Sequence, residues 1–380
     1  MKDQFLIDPN VTYLNHGSYG ACPRALFEVY QHYQLELEKN PFQFIQKELP
    51  QLLTASRKAL GNFIHCYFDD VVFFTNPTTA VNVIAKSLRF HKGDEILTTD
   101  IEYGACDRTW QYYCKLSDAK YVRQKIELPI LSKEKILSDF WSGYTNNTKA
   151  IFISHISSAT ALILPVEEII LEAKKRGLIT IVDGAHVPGH LPLDIEKLNP
   201  DFYVGACHKW MNGPKGASFL YTKSSNQYLL DPLIISWGYE AEFPSHSSYL
   251  DYHQMQGTRD MAAILSVPAT INYFHSQNWW QHASDSRSMI IDNYSDLCDI
   301  VGTSPIVPVS SQFLGQMCAI PLPKNYLEPY NISDILLQNY KIAIPVSKSN
   351  DDYFLRLSTQ VYIDQSDIEL LKTALKEIFN

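Results

Sequence analysis

Two short stretches constrain this chain more than anything else in it: Thr180 to His186 (TIVDGAH) and, after a short connection, Asp201 to Trp210 (DFYVGACHKW). Each opens as an apolar run and closes in polar residues. That is how a buried parallel strand reads when it delivers side chains to the carboxyl edge of a sheet. The first delivers Asp183 and His186, and the second His208 and Lys209.

The pattern recurs along the chain. Val71 to Phe74 reads as a strand that ends in Thr75 to Ala80 and opens a helix over Thr78 to Leu88. Glu95 to Thr98 precedes a helix over residues 104–115, and Ala150 to Ser154 precedes one over residues 165–176. Helices are also expected from Pro23 to Lys39 and from Lys47 to Phe63, where Leu49, Leu52, Leu53, Leu60 and Phe63 share a stripe. Strands alternating with helices make a mostly parallel sheet covered on both faces, so the fold class is α/β. Past Gly257 the texture changes. A long helix over Asp260 to Ser276 leads into another over Trp279 to Cys298, followed by strands at Gln316 to Pro321 and Phe354 to Ser358 and helices over 332–340 and 365–378. The expected division is a large α/β domain, residues 20–262, and a smaller α+β domain, residues 263–380, to which the arm 1–19 belongs.

The chain has 380 residues, enough for two such units, and its 46% apolar and 19% charged composition is that of a folded soluble protein. The net charge of −9 argues against a nucleic-acid surface. No apolar run approaches the ~18 residues of a membrane span, and the first eight residues do not read as a signal peptide. Seven cysteines without a C-x-x-C pair suggest free thiols in a reducing, cytoplasmic setting, and no metal is expected.

A carboxylate and an amine at neighbouring strand ends are what a pyridoxal phosphate site needs. The lysine forms a Schiff base with the cofactor's aldehyde, and the carboxylate keeps the pyridine nitrogen protonated. Taken singly, Asp183 and Lys209 are an ordinary strand-end aspartate and an ordinary lysine. The turn Asn212 to Gly216 and the pattern upstream reverse that weighting. A phosphate needs backbone N–H groups and hydroxyls at a helix N-terminus, and Thr78 and Thr79 stand in such a turn. His208 can add a donor, and Tyr103 follows the next strand, where it can cover one face of a ring. An N-cap threonine and a packing tyrosine are the plainer readings of these positions.

Together these residues resemble a family. Tyr13 to Ser18 (YLNHGS), Asn76 to Asn82 (NPTTAVN), Glu102 to Ala105 (EYGA), Ser154 to Thr160 (SHISSAT), Val182 to His186, His208-Lys209 with Gly213 to Gly216, Gly257 to Asp260 (GTRD) and Leu355 to Tyr362 (LRLSTQVY) are similar to class V pyridoxal-phosphate-dependent aminotransferases. Within that class the likeness is to the isopenicillin N epimerase-like branch, and it spans nearly the whole chain. The resemblance implies fold type I, the aspartate aminotransferase-like fold. It makes Lys209 the Schiff-base lysine and Asp183 the partner of the pyridine nitrogen. Thr78, Thr79 and His208 are implied to hold the phosphate, Tyr103 to stack on the ring, His155 and Ser157 to lie on the cofactor's hydroxyl side, and His186 beside the ring. Thr258 is implied to reach the phosphate of a neighbouring subunit, hence a homodimer with shared sites. Arg356 is implied to clamp the carboxylate of a small amino-acid substrate, and Asn15, His16 and Ser18 to edge its pocket. Two positions depart from the pattern: Ala206 stands where relatives often carry serine, and Ile363 follows Tyr362 where asparagine is usual.

Such a site acts at Cα of an amino acid. Lys209, once displaced by the substrate, takes the Cα proton, and the fate of the remaining electron pair decides between epimerisation, loss of a β-substituent and transamination. An epimerase-like or C–S/β-elimination lyase activity ranks first and a class V aminotransferase second. Cysteine desulfurase chemistry needs a thiolate on a loop just upstream of Arg356, and Lys341 to Asn350 has no cysteine. Cys207 and Cys318 read as packing residues. A catalytically inactive binding protein of the same fold is the remaining alternative, opposed by the presence of Asp183, Lys209 and Arg356 together.

Overall fold

The computed structural model describes residues 1–324, 326 and 328–379. Its largest sheet has seven strands: β1 (Val71–Phe74), β2 (Glu95–Thr99), β3 (Lys120–Gln124), β4 (Thr148–Ser154), β5 (Ile179–Asp183), β6 (Phe202–Ala206) and β7 (Ser218–Thr222). Their order is β1-β7-β6-β5-β4-β2-β3. Only β7 runs against its neighbours β1 and β6. Asp183 pairs in register with Ser154 of β4 on one side and Val204 of β6 on the other. The turn after β6 therefore starts beside Asp183.

The period-two alternation of the strands sorts their side chains onto two buried faces. Phe74, Phe152, Ile181, Phe202 and Val204 pack with Cys106 and Trp110 of the Gly104–Ser117 helix. Phe73, Ile153, Val182, Tyr203 and Phe219 belong to the larger core on the other side, which includes Leu53 and Leu60 of the Leu49–Ile64 helix. Strands buried on both faces carry the continuous apolar runs that made them legible. β3 was not expected, because it is an edge strand whose Lys120 and Arg123 stay exposed. β7 and the helices Lys133–Ser142 and Ser248–Gln254 were not expected either.

A second sheet, in the order β9-β10-β8, joins β8 (Met317–Pro321), β9 (Val346–Ser349) and β10 (Asp352–Ser358), all antiparallel. The helices Trp279–Val301 and Gln365–Phe379 pack beside it. Thr12–Tyr13 pairs in parallel with Ile342–Ala343, which fastens the arm to this part of the chain. The helix expected over Asp260 to Ser276 is a correction. Its first turn begins at Ala262, whose N–H is taken by Asp260 Oδ1 at 2.7 Å, and it divides into Ala262–Leu265 and Val267–Ser276. Pro268, in the first turn of the second piece, has no N–H to continue the ladder. Among the described residues no helix is long and apolar enough to cross a membrane.

Candidate active site

Asp183 ends β5, and the chain must turn sharply behind it. A Cβ on Gly184 would stand 2.1 Å from the Tyr203 ring, so only glycine lets the strand end lie against that ring. Asp183 Oδ1 accepts from the Ala185 N–H at 3.0 Å, and Oδ2 accepts from the Cys106 thiol at 3.5 Å. Burial raises the Asp183 pKa, while the Ala185 amide, the Lys209 charge and the Cys106 thiol pull it down. A buried carboxylate with two weak partners is suited to a cationic ring nitrogen.

Lys209 stands in the turn after β6. Its Nζ lies 3.1 Å from His186 Nε2 and makes no ion pair among the described residues. Burial and the Arg356 charge bring its pKa down to about 8, with burial the larger cause and Asp183 opposing. The tautomer of His186 is set by its other neighbour. Trp210 Nε1 can only donate, and it approaches His186 Nδ1 at 3.3 Å. Burial keeps His186 neutral, so its single proton sits on Nε2, 3.1 Å from the Lys209 nitrogen and able to donate to that amine once it has lost its own proton. His16 lies under this turn. Its Nε2 is 3.0 Å from the Lys209 carbonyl oxygen and its Nδ1 2.9 Å from Tyr362 Oη, and burial takes its pKa down to about 3. Gly20 passes so close that a Cβ would fall 2.0 Å from the His208 carbonyl oxygen; its φ is 69°.

The Pro77–Ser87 helix points its N-terminus out of β1 with Asn76 as its cap. Asn76 Oδ1 accepts from Thr79 N at 2.9 Å and Thr79 Oγ1 at 3.0 Å. Thr78 is half-buried at the same turn. His208 is oriented by its Nδ1, 3.0 Å from the Ala217 carbonyl, and burial holds it neutral with a pKa of about 4. Tyr103 precedes the Gly104–Ser117 helix, half-exposed, one turn before Cys106.

Arg356, on β10, is buried, and burial lowers its pKa to about 10. Its Nη1 donates to the Ser158 carbonyl at 2.6 Å and to Ser158 Oγ at 3.1 Å. Nη2 donates to Ser18 Oγ, which in turn donates to Asn15 Oδ1 at 2.5 Å. Nε has no partner, and no carboxylate pairs with the guanidinium among the described residues. A buried guanidinium bonded only to neutral oxygens is suited to an anion.

Asp183, Lys209, His186, Tyr103 and Arg356 thus lie within electrostatic reach of one another, with Ser18 and Asn15 at the arginine. Ser157 is buried and donates to the Ile101 carbonyl at 2.8 Å. The His155 N–H donates to the Asp183 carbonyl at 2.8 Å, but its ring lies on the other side of the sheet. There Nδ1 lies 3.1 Å from Tyr203 Oη and the ring borders a cavity of about 900 Å³ with Phe63 and Leu193. Thr258 lies exposed in a bend after the Ser248–Gln254 helix. Sequence reasoning passed over Cys106, Ser158, Tyr203 and Trp210. Cys106 alone had a readable signal, three residues after Tyr103 and so on the same side of a helix start.

An amine, a buried carboxylate, a helix N-terminus and an unpaired guanidinium match the aldehyde, ring nitrogen and phosphate of pyridoxal phosphate and the carboxylate of an amino acid. The sequence model of the family described as aminotransferase class-V matches residues 12–371. The chain is 30% identical to the isopenicillin N epimerase of Amycolatopsis lactamdurans over 99% of its own length and 97% of that protein's. It is 22% identical to the hercynylcysteine sulfoxide lyase of Schizosaccharomyces pombe, over 99% and 96%. Among solved structures it is similar to an apo cysteine desulfurase from Thermococcus onnurineus NA1, with a TM-score of 0.85 and 20% identity over 100% of this chain and 97% of that one. That likeness is one of fold.

Proposed function

Because the chain belongs to the class V aminotransferase family, whose cofactor is pyridoxal 5'-phosphate, we propose that Lys209 bonds the cofactor and works at Cα of an amino acid. The reaction in this reading is epimerisation or loss of a β-substituent, as the names of an epimerase and a C–S lyase among its relatives suggest. The observation that carries the reading is the Lys209 amine: part-buried, outside any ion pair among the described residues, and 3.1 Å from Nε2 of a neutral imidazole.

When bound, the cofactor supplies a sink for the electron pair left at Cα. The chain's own residues do the rest. Asp183 holds the ring nitrogen protonated from inside the core. Arg356 takes the substrate carboxylate through its planar fork, with Ser18 and Ser158 fixing the plane. Lys209, with its pKa near 8, removes and returns the Cα proton, and His186 aims the amine. Thr78, Thr79 and His208 would hold the phosphate, Tyr103 would cover the ring, and Asn15 and His16 would support the substrate end. His155 and Ser157 act through the loop that carries Ser158. The cysteines support no sulfur-accepting role: Cys207 and Cys318 are buried, with thiol pKa values raised by burial. We further read residues 20–262 as the cofactor domain, residues 1–19 with 263–380 as the second domain, and the protein as a cytoplasmic homodimer to which Thr258 contributes across the two-fold axis.

The test is to incubate the cofactor-loaded protein in heavy water with L- and D-amino acids and with cysteine conjugates. Solvent deuterium at Cα with inversion identifies an epimerase, and release of a thiol with a keto acid identifies a lyase. Absence of exchange at Cα from every substrate, together with no borohydride-trapped cofactor on Lys209, would rule the proposal out.

A further inference from the structure

Glu102 is a buried carboxylate that faces no cation. Its Oε1 accepts from Thr99 Oγ1 at 2.6 Å, and its Oε2 accepts from the Ser154 N–H at 2.9 Å and from the Ser154 hydroxyl. All three donors are neutral. The cations of the neighbouring edge strand are engaged elsewhere, Lys120 with Glu95 at 3.3 Å and Arg123 with Asp107 at 3.0 Å, and Glu102 is in no ion pair among the described residues. The ionisable groups set against it are Asp183, Cys106 and Tyr121, and none of these is a cation. A charge taken out of water ordinarily meets an opposite one.

The position of Glu102 in the fold identifies the charge it can meet. Ser154 ends β4 and pairs in register with Asp183 at the end of β5, so the two side chains leave the same face of the sheet. Glu102 holds that serine by both its N–H and its hydroxyl. Cys106, one turn into the helix that follows, donates to Asp183 Oδ2 at 3.5 Å. Two carboxylates from adjacent elements thus converge on one sheet edge. Burial raises the Glu102 pKa to about 7, the Ser154 and Thr99 donors oppose the rise, and the Asp183 charge adds to it. Like charges that share a buried place are both kept ionised by a cation beside them. The protonated ring nitrogen assigned to Asp183 is such a cation.

A carboxylate that only tied the Tyr103 turn to β4 could as well be an amide. Glutamine offers the same oxygen to Ser154, and the Thr99 hydroxyl can turn to accept from its NH₂ group. The charge is what this bonding pattern does not require.

We propose that Glu102 is a positioning residue for the cofactor's ring nitrogen: acting behind Asp183, its negative charge makes the site select a protonated ring. This rests on the reading of Asp183 and Lys209 as cofactor residues and adds to it a residue given no role above.

The experiment compares two ligands, pyridoxal phosphate and its 1-deaza analogue, in which a C–H replaces the ring nitrogen. Both carry the aldehyde and the phosphate, so a purely structural defect weakens them equally. The readout is the dissociation constant of each from the cofactor-free protein at about pH 8, above the Glu102 value of about 7. Glu102→Gln is expected to reduce the preference for pyridoxal phosphate about tenfold, the order of one charge acting on another inside a protein, with binding of the analogue unchanged. Glu102→Asp keeps the charge and should keep the preference, even where the shorter side chain weakens both ligands. Ser154→Ala removes a donor that favours the ionised carboxylate and should move the preference in the direction of Glu102→Gln, which keeps the test open if the glutamine variant fails to fold. Equal weakening of both ligands by Glu102→Gln, or no change in either, overturns the inference and leaves the reading of Lys209 standing. An unaltered protein that retains neither ligand overturns that reading and this inference with it.

Discussion

Lys209 must lose a proton before it can attack an aldehyde, so its surroundings set the pH at which the cofactor is captured. Its pKa in the folded chain is about 8, against an ordinary value of 10.5. The rate of covalent attachment to the cofactor-free protein should therefore climb with pH and level off above about 8, and stopped-flow absorbance will show the midpoint. An exposed lysine would still be climbing two units higher. The same shift acts on stability. Between about 8 and 10.5 the unfolded chain binds the proton that the folded chain has lost, so this group makes the cofactor-free protein more stable as pH rises through that window. Asp183 acts on the other end of the ring. Asp183→Asn preserves shape but removes the charge and replaces one accepting oxygen by a donor, and it should lower turnover about 10²- to 10³-fold with the cofactor still bound. Steady-state rates on cofactor-saturated enzyme check this, and near-wild-type turnover would mean that the carboxylate does something else.

The helix Pro77–Ser87 keeps its position through Asn76, which closes the first turn and holds Thr79 by both its N–H and its hydroxyl. Asn76→Ala should lower thermal stability by about 1 kcal/mol, the usual loss for an N-cap. It should also loosen the phosphate end, seen as a faster cofactor off-rate in gel filtration at fixed protein concentration. A variant with the cap loss but an unchanged off-rate would separate the helix from the phosphate. The strands act differently from the helix. Asp183 sits where it does because β5 is in register with β4 and β6, so a slip of β5 by one residue against them would turn the carboxylate to the face where His155 and Tyr203 lie.

At the scale of the whole molecule, binding of the cofactor and pairing of two copies are linked if each site borrows Thr258 from its partner. Removing pyridoxal phosphate should then shift the equilibrium toward single chains. Sedimentation velocity of the cofactor-free and loaded forms over a range of concentrations measures the shift. A loaded protein that is a fully active single chain contradicts the sharing of Thr258.

The sequence alone determined the class of fold, the cofactor and the buried strands of the large sheet other than β7. Those properties are written locally: a strand covered on both faces is a continuous apolar run, and the residues past its end are the ones delivered to the sheet edge. The polar edge strand β3 escaped for the same reason, since its alternating charged residues resemble a loop. Only the tertiary structure decided which groups meet. Cys106 reaches Asp183 from 77 residues away, Ser18 reaches Arg356 from 338, and His155 turns its ring behind the sheet because alternation past β4 sends it there. Contacts of that span depend on register and on helix placement, and residue types at their own positions do not encode either one.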